Sequence, residues 1–426
     1  MYRRGRRSAE RSARAWFDGQ PTWPLRRRIL LFAPLALTYV LGVALVFRLH
    51  PPQFGGENHF VLLADGWLHG HLSLEHAPAD TGDYTWYQGR WYVAFPPLPA
   101  VLLLPIVAVF NPVNQVRLGL LFSVGLGVVN IWLMLRVLLR FRRENGAALS
   151  SPAVVWLLVF FALGTETLNV TMDGRVWFLA HVVATTFLLL HLGEAFGARR
   201  GWLAGLWLGL AALARATTLF ALPLFVLLVV ARERGTRGAM ARQLGGFGAA
   251  LALSVAGMLL YNQARFGSPT DFGYAAMLVQ GSADLHTYGQ FSPHFLPRNA
   301  WHMGVQPPTV LHGFPYLAFD PFGVGILWTM PALAFAFFAF RRRERRWLAG
   351  ALLAGCLPPI SLLLLYFNTG WVQFGNRFFM DVLPLAVLLA ALGMRPKPGW
   401  AEKLLILLSV LVNIWGGYVL YTQLVT

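Results

Sequence analysis

Long apolar runs alternate along this chain with short clusters of arginine. The runs at 29–49, 117–139, 152–165, 176–196, 202–215, 217–231, 243–262, 322–340, 346–366, 377–393 and 402–424 predict helices. The longest reach the roughly 20 residues that cross about 30 Å of hydrocarbon. Those at 152–165, 202–215 and 217–231 fall short of a full crossing and predict tilted, broken or kinked helices. The basic clusters are Arg3 to Arg28, Arg140/Arg142/Arg143, Arg199/Arg200, Arg232 to Arg242, Arg341 to Arg346 and Arg395 to Lys403. Cytoplasmic loops of membrane proteins are enriched in Lys and Arg, and one threading places every cluster on that side.

The apolar piece 98–110 decides the threading. As a full crossing it would invert everything after it and put Arg140, Arg142 and Arg143 outside. It is short and opens with Pro96-Pro97-Leu98-Pro99, so it is read as a juxtamembrane or re-entrant helix. The expected architecture is an all-α polytopic membrane protein of about eleven transmembrane helices, with juxtamembrane helices in a large first external loop. Its N-terminus is inside and its C-terminus outside. Residues 1–28 form a basic cytoplasmic tail, and 29–426 form one transmembrane domain with external loops 50–116 and 263–321. The first run, behind a basic tail and with no small-residue cleavage site after it, reads as a signal anchor in the plasma (inner) membrane.

Within the first loop, 57–68 predicts an amphipathic helix. Alternating aromatics around Gln88-Gly89 predict a short hairpin. Gly201, Gly205 and Gly209 recur every four residues, a pattern of close helix contact.

Composition agrees with a membrane protein. The chain is 57% hydrophobic and 12% charged, with a mean hydropathy of +0.55, a balance outside that of soluble domains. The net charge of +17 is spread over short inter-helix loops, so it does not point to nucleic acid. The single Cys356 excludes a disulfide framework and a cysteine metal site.

The candidate chemistry lies on the external side. Glu57, in Gly55-Gly56-Glu57-Asn58-His59-Phe60, follows the first span at the membrane–water boundary. It can act as a general base, or as a metal ligand with His59 or Asp65. A first-turn acid complementing a helix dipole is the alternative. Asp65 is equally explained as the polar face of a surface helix. His69, His71 and His76 with Glu75 match no zinc spacing. Arg215 stands against the positive-inside trend, which an anionic ligand such as phosphate would explain. Arg377 and Asp381 are four apart and can pair along one helix, yet ionisable groups at membrane depth are functional candidates. Asp173 and Arg175 occupy another outer turn. Arg298 flanks the second loop, whose stretch 288–297 can serve as a lid. Trp86, Tyr87, Trp91 and Tyr92 can stack on a sugar or form an interfacial aromatic belt.

Taken in order, these pieces resemble the GT-C superfamily of membrane glycosyltransferases, in its bacterial protein-mannosyltransferase and aminoarabinose-transferase-like branch. The acidic motif is Gly-Gly-Glu57-Asn-His-Phe, the Pro-Pro element Phe95-Pro96-Pro97, and the basic end of the second span Arg140 to Arg143. The glycine-rich span ending at Arg215 and the stretch Tyr261 to Tyr274 are similar to the same group. One departure is visible: the family often has two adjacent acids in the first loop, and here Gly56 precedes Glu57. Its second acidic motif is matched loosely, by Thr171-Met172-Asp173.

The resemblance implies sugar transfer with inversion, from a polyprenyl-phosphate donor to a lipid, glycan or protein acceptor outside the cytoplasm. Glu57 would deprotonate the acceptor hydroxyl. Arg215 and Arg377, or a divalent metal (Mg or Mn) held by Glu57 and His59, would stabilise the donor phosphate. Asp65, Asp173, His59, Tyr87, Trp91 and Arg298 complete the candidate set. The competing classes are a multi-pass transporter or flippase, which would want ionisable groups at the midplane, and a non-catalytic assembly protein.

Overall fold

The structure is a computed structural model that describes residues 24–49, 58–79, 81–110, 115–144, 149–277, 283–314 and 316–421. Helix α1 (Leu25–Leu49) takes in the last arginines of the expected tail. Then come α2 (His59–Leu68), the hairpin β1 (Tyr84–Tyr87) and β2 (Arg90–Val93), and α3 (Leu98–Phe110). Next are α4 (Gln115–Glu144), α5 (Ser151–Leu163), α6 (Thr167–Thr171), α7 (Val176–Ala195), α8 (Gly201–Ala212), α9 (Pro223–Arg232) and α10 (Arg237–Phe266). The second half holds α11 (Ala283–Tyr288), α12 (Leu296–Ala300) and a minimal pair β3 (Thr309–Val310) and β4 (Leu317–Ala318). It closes with α13 (Ile326–Thr329), α14 (Arg346–Leu365), α15 (Leu383–Gly393) and α16 (Trp400–Val419).

Among the described residues five helices are long and apolar enough to cross a membrane: α4, α7, α10, α14 with its preceding turn, and α16. The protein is a mostly helical membrane protein. α7 is the axis, with 83% of its apolar window buried, whereas α10 buries only 17% and forms the rim. An apolar helix so little covered by protein is suited to lipid contact. α10 approaches α8 where glycines leave room. A Cβ on Gly201 or Gly205 would strike the backbone of Gln243 or Phe247, and one on Gly209 would strike Ser254.

The run at 322–340 does not form the single helix expected. α13 stops after four residues, Met330 leaves helical geometry (φ −134°, ψ 55°), and a 3-10 turn, Pro331–Phe338, follows. Proline lacks an N–H and bars its predecessor from helical geometry, so Pro331 forces the break. The carbonyl of Thr329, at the break, accepts a hydrogen bond from Asn413 Nδ2 on α16 at 2.8 Å.

The apolar runs at 202–215, 217–231 and 377–393 also break. α8 ends at Ala212, and Ala216–Ala221 is a 3-10 turn before α9. Arg377–Asp381 is a 3-10 turn before α15. These breaks place Arg215 and Arg377 in corners where the backbone no longer holds side chains to a helix surface.

The hairpin is as expected. Tyr84 pairs with Val93 and Tyr87 with Arg90, and Gln88 (φ 47°) and Gly89 (φ 76°) make the left-handed two-residue turn. α3 packs on α2, and Leu98 N–H donates to Leu213 O at 2.9 Å, tying the first loop to the Arg215 corner.

Candidate functional site

Several corners of the chain meet at the N-terminal end of α7. Asp381 lies at their centre, fully buried. It hydrogen-bonds His181 Nδ1 at 2.9 Å, accepts from Arg215 Nη2 at 3.2 Å, and accepts a short bond from Thr217. His181 projects from the first half of α7. The Asp381 carboxylate is thus a counter-ion that fixes Arg215 in place.

Arg377 is buried next to the same Phe378 ring as Arg215. Arg215 lies 5.1 Å and Arg377 5.2 Å from the Phe378 ring centre, so both cations contact one aromatic ring. Arg377 donates to Trp371 O at 3.1 Å and to Gln373 Oε1 at 3.0 Å, and its Nε has no hydrogen-bond partner. All its bonds go to uncharged oxygens. Arg215 and Arg175 act on it as like charges, Asp173 and Asp83 as opposite ones. The expected pairing of Arg377 with Asp381 does not occur, because the 3-10 turn takes the two away from the one-face spacing of an α-helix.

Asp173 holds Arg175 in a fork, at 3.0 and 2.6 Å, and Arg175 leans over Trp177 and Phe178. Trp177 Nε1 donates to Asp83 Oδ2 at 2.8 Å. Asp83 has φ 63°, a left-handed conformation that Asp tolerates better than most residues. Tyr274 and Tyr366 close the other side, hydrogen-bonded to each other beside Arg215, with Gln290 bonded to Tyr366. Burial raises the Tyr274 phenol above its ordinary pKa, and Arg215 partly offsets this. The 288–297 stretch docks here: Ser292 N–H donates to Leu365 O at 2.8 Å and Phe367 N–H to Gln290 O at 3.0 Å.

Glu57 lies outside the described residues. Its neighbour Asn58 caps α2 and donates to Gly174 O at 2.7 Å, immediately before Arg175. Gly119 and Gly174 permit this junction, since a Cβ on Gly119 would strike Asn58 and one on Gly174 would strike the backbone of α4. Close by, Glu166 is buried and accepts from the Gly375 backbone, while its Oε1 has no partner. Burial pushes its carboxyl up to about 8.

Of the residues singled out from sequence, the structure gathers Arg215, Arg377 and Asp173 at this end of α7. Asp65 faces His69 on its own helix at 3.7 Å and bonds neither Arg215 nor Arg377. His59 stacks on Tyr84 at 3.9 Å. Tyr87 donates to Phe266 O at 3.0 Å, and Trp91 packs on Trp86. Arg298 pairs with Asp284 at 3.2 Å and bonds Phe367 O, in the loop layer over α14. Among the described residues no three His, Cys, Asp or Glu are placed to hold a metal ion, and His59 presents its ring face to Tyr84.

Sequence reasoning passed over Asp83, His181, Tyr274 and Tyr366 as site residues. His181 carried a signal: an ionisable residue inside an apolar span. Asp83 carried a weaker one, opening the aromatic hairpin.

No protein-family model matches the sequence, and no curated protein does. Solved structures do. The apo form of the oligosaccharyltransferase of Archaeoglobus fulgidus superposes with a TM-score of 0.50 at 16% identity, over 92% of this chain and 55% of that one. The same enzyme tethered to an acceptor peptide gives 0.52 at 14% identity, over 93% and 55%. The likeness is one of fold. The particular structure it follows is this archaeal oligosaccharyltransferase, of which the chain spans about half the length.

Proposed function

We propose that this protein is a membrane glycosyltransferase that moves a sugar from a polyprenyl-phosphate donor to a hydroxyl on the external side, with inversion. The observation that carries the reading is Arg377. A buried guanidinium whose hydrogen bonds all go to uncharged oxygens, beside a second guanidinium held by Asp381, is a seat for an oxyanion. Arginine's planar fork suits phosphate oxygens, and charge grows on those oxygens as the anomeric C–O bond breaks.

In this reading Glu57 takes the proton of the acceptor hydroxyl. The acceptor oxygen forms its bond to the anomeric carbon on the face opposite the departing phosphate, which leaves with the bonding electron pair. Lipid phosphate leaves readily, so no strong general acid is required. Asp381 and His181 position Arg215. Tyr274 and Tyr366, with the 288–297 stretch, cover the cleft and limit water, whose attack would waste the donor. A hydroxyl presented by a protein, glycan or lipid satisfies this chemistry, and the archaeal neighbour tethered to an acceptor peptide supports a protein as the kind of acceptor. About eleven crossings, with the basic clusters in the cytoplasm and this site outside, complete the reading.

The test is transfer of radiolabelled sugar from a panel of polyprenyl-phosphate sugars, in membranes holding matched amounts of wild type, Glu57→Gln and Arg377→Gln. The expected result is transfer by wild type, a loss of about 10²–10⁴ for Glu57→Gln and of about 10²–10³ for Arg377→Gln. Full activity in Arg377→Gln would remove the oxyanion seat from the mechanism. A transporter would instead move the labelled lipid without forming product.

A further inference from the structure

α7 has a second polar end. Counting 1.5 Å per residue from His181 to Glu194 puts it about 20 Å from the site just described. Here α4, α7 and α8 enclose a cavity of about 210 Å³. Its rim carries Arg136, Arg140 and Arg200 against one carboxylate, Glu194, and its inner wall is apolar, from Leu133, Val137, Leu190 and Trp207.

The rim is built rather than incidental. Arg140 Nη1 bonds Gly193 O, and the guanidinium lies flat on α7 because two glycines are there. A Cβ on Gly193 would come within 3.0 Å of Arg140 Nη1, and one on Gly197 within 3.1 Å of its Cζ. Arg200 pairs with Glu194 at 2.7 Å, yet its side chain stays 54% exposed. Capping of helix C-termini by cations explains Arg140. It does not explain Arg136, which is exposed and has no hydrogen bond or ion pair among the described residues.

We infer that this cavity binds the phosphate headgroup of an anionic phospholipid. Three guanidiniums against one carboxylate favour an anion, and Arg136 and Arg200 both have exposed side chains. The volume decides how much of the ligand enters. The cavity has room for a phosphate and its glycerol oxygens. It falls below the roughly 300 Å³ of pockets that swallow a drug-sized molecule. The acyl chains therefore run outside, along the apolar face of α4 that Leu121 and Val129 leave exposed. That continuity of charged rim with apolar wall favours a lipid over a soluble phosphate. The inference is independent of the sugar-transfer reading.

The experiment is native mass spectrometry of the full chain after equilibration with mixed micelles of phosphatidylglycerol and phosphatidylcholine in equal amounts. Wild type is expected to retain phosphatidylglycerol preferentially. Arg136→Gln and Arg200→Gln, both at exposed side chains, should each lower that preference by about fivefold. Leu203→Trp, which fills the cavity and leaves every charge, should abolish retention. Equal retention of the two lipids by wild type, or a preference untouched by the arginine variants or by Leu203→Trp, would overturn the site. A thermal shift with millimolar inorganic phosphate alone that equals the shift with phosphatidylglycerol would overturn the lipid in favour of a soluble phosphate compound.

Discussion

Arg377 and Glu166 show what burial does to an ionisable side chain here. Arg377 sits among uncharged acceptors, and in the proposed mechanism an incoming oxyanion completes it. Glu166 has no cation bonded to it and responds by holding its proton, up to about pH 8. The sign of its effect on stability follows from linkage. Its folded pKa is raised, so between the unfolded value of 4.5 and about 8 the folded protein binds the extra proton. Its contribution to stability is fully present below about pH 4.5 and is lost progressively as pH rises to about 8. Thermal unfolding in detergent from pH 5 to 9 should show this decline in wild type and a flatter profile in Glu166→Gln; parallel profiles would mean that Glu166 is ionised throughout. Charge against trend made Arg215 legible in the sequence, as did an ionisable residue in an apolar setting for Arg377. Asp83 and the two tyrosines were illegible because their importance lies in what they face, and loop residues face whatever tertiary contacts bring.

At the scale of elements, periodicity located the regular helices and prolines decided where the others break. The run 176–196 was readable as α7 because no proline interrupts it. The run 322–340 was equally apolar and misleading, since hydropathy does not register Pro331 and the partner for its broken turn, Asn413, is 84 residues distant. Replacing Asn413 by Leu should cost about 1–2 kcal/mol, the range of interhelical hydrogen bonds in membranes, read as a lower melting temperature. Gly205→Leu tests the α8–α10 contact. A side chain there must displace the Phe247 backbone, so it should destabilise by about 1–3 kcal/mol, whereas Leu at Gly248, where a Cβ meets nothing, should be nearly silent. Equal losses at both positions would argue that helix propensity, not close approach, governs that interface.

At the scale of the whole molecule, two charged zones lie at opposite ends of one buried helix. One is rich in arginine and open; the other gathers aspartates, arginines and tyrosines in a closed cleft. The arginine clusters are local signals, so those at Arg140 to Arg143 and at Arg199 and Arg200 were visible in the sequence. The cleft's composition was not foreseeable, because its parts come from loops hundreds of residues apart. The only native cysteine, Cys356, is buried, so introduced cysteines report orientation cleanly. A cysteine at exposed Phe314 should react with a membrane-impermeant maleimide in intact cells, and one at Arg343 only after permeabilisation. The reverse pattern would place the cleft in the cytoplasm. The Arg377 seat has a further consequence, for the lifetime of the protein. A ligand that completes a buried cation stabilises the folded state by mass action, about 2.7 kcal/mol at a hundredfold excess over its Kd. Proteolysis acts on the opened fraction. On the proposed sugar-transfer reading the unoccupied protein is therefore the most perishable form, and its abundance in the membrane should rise and fall with the supply of the donor.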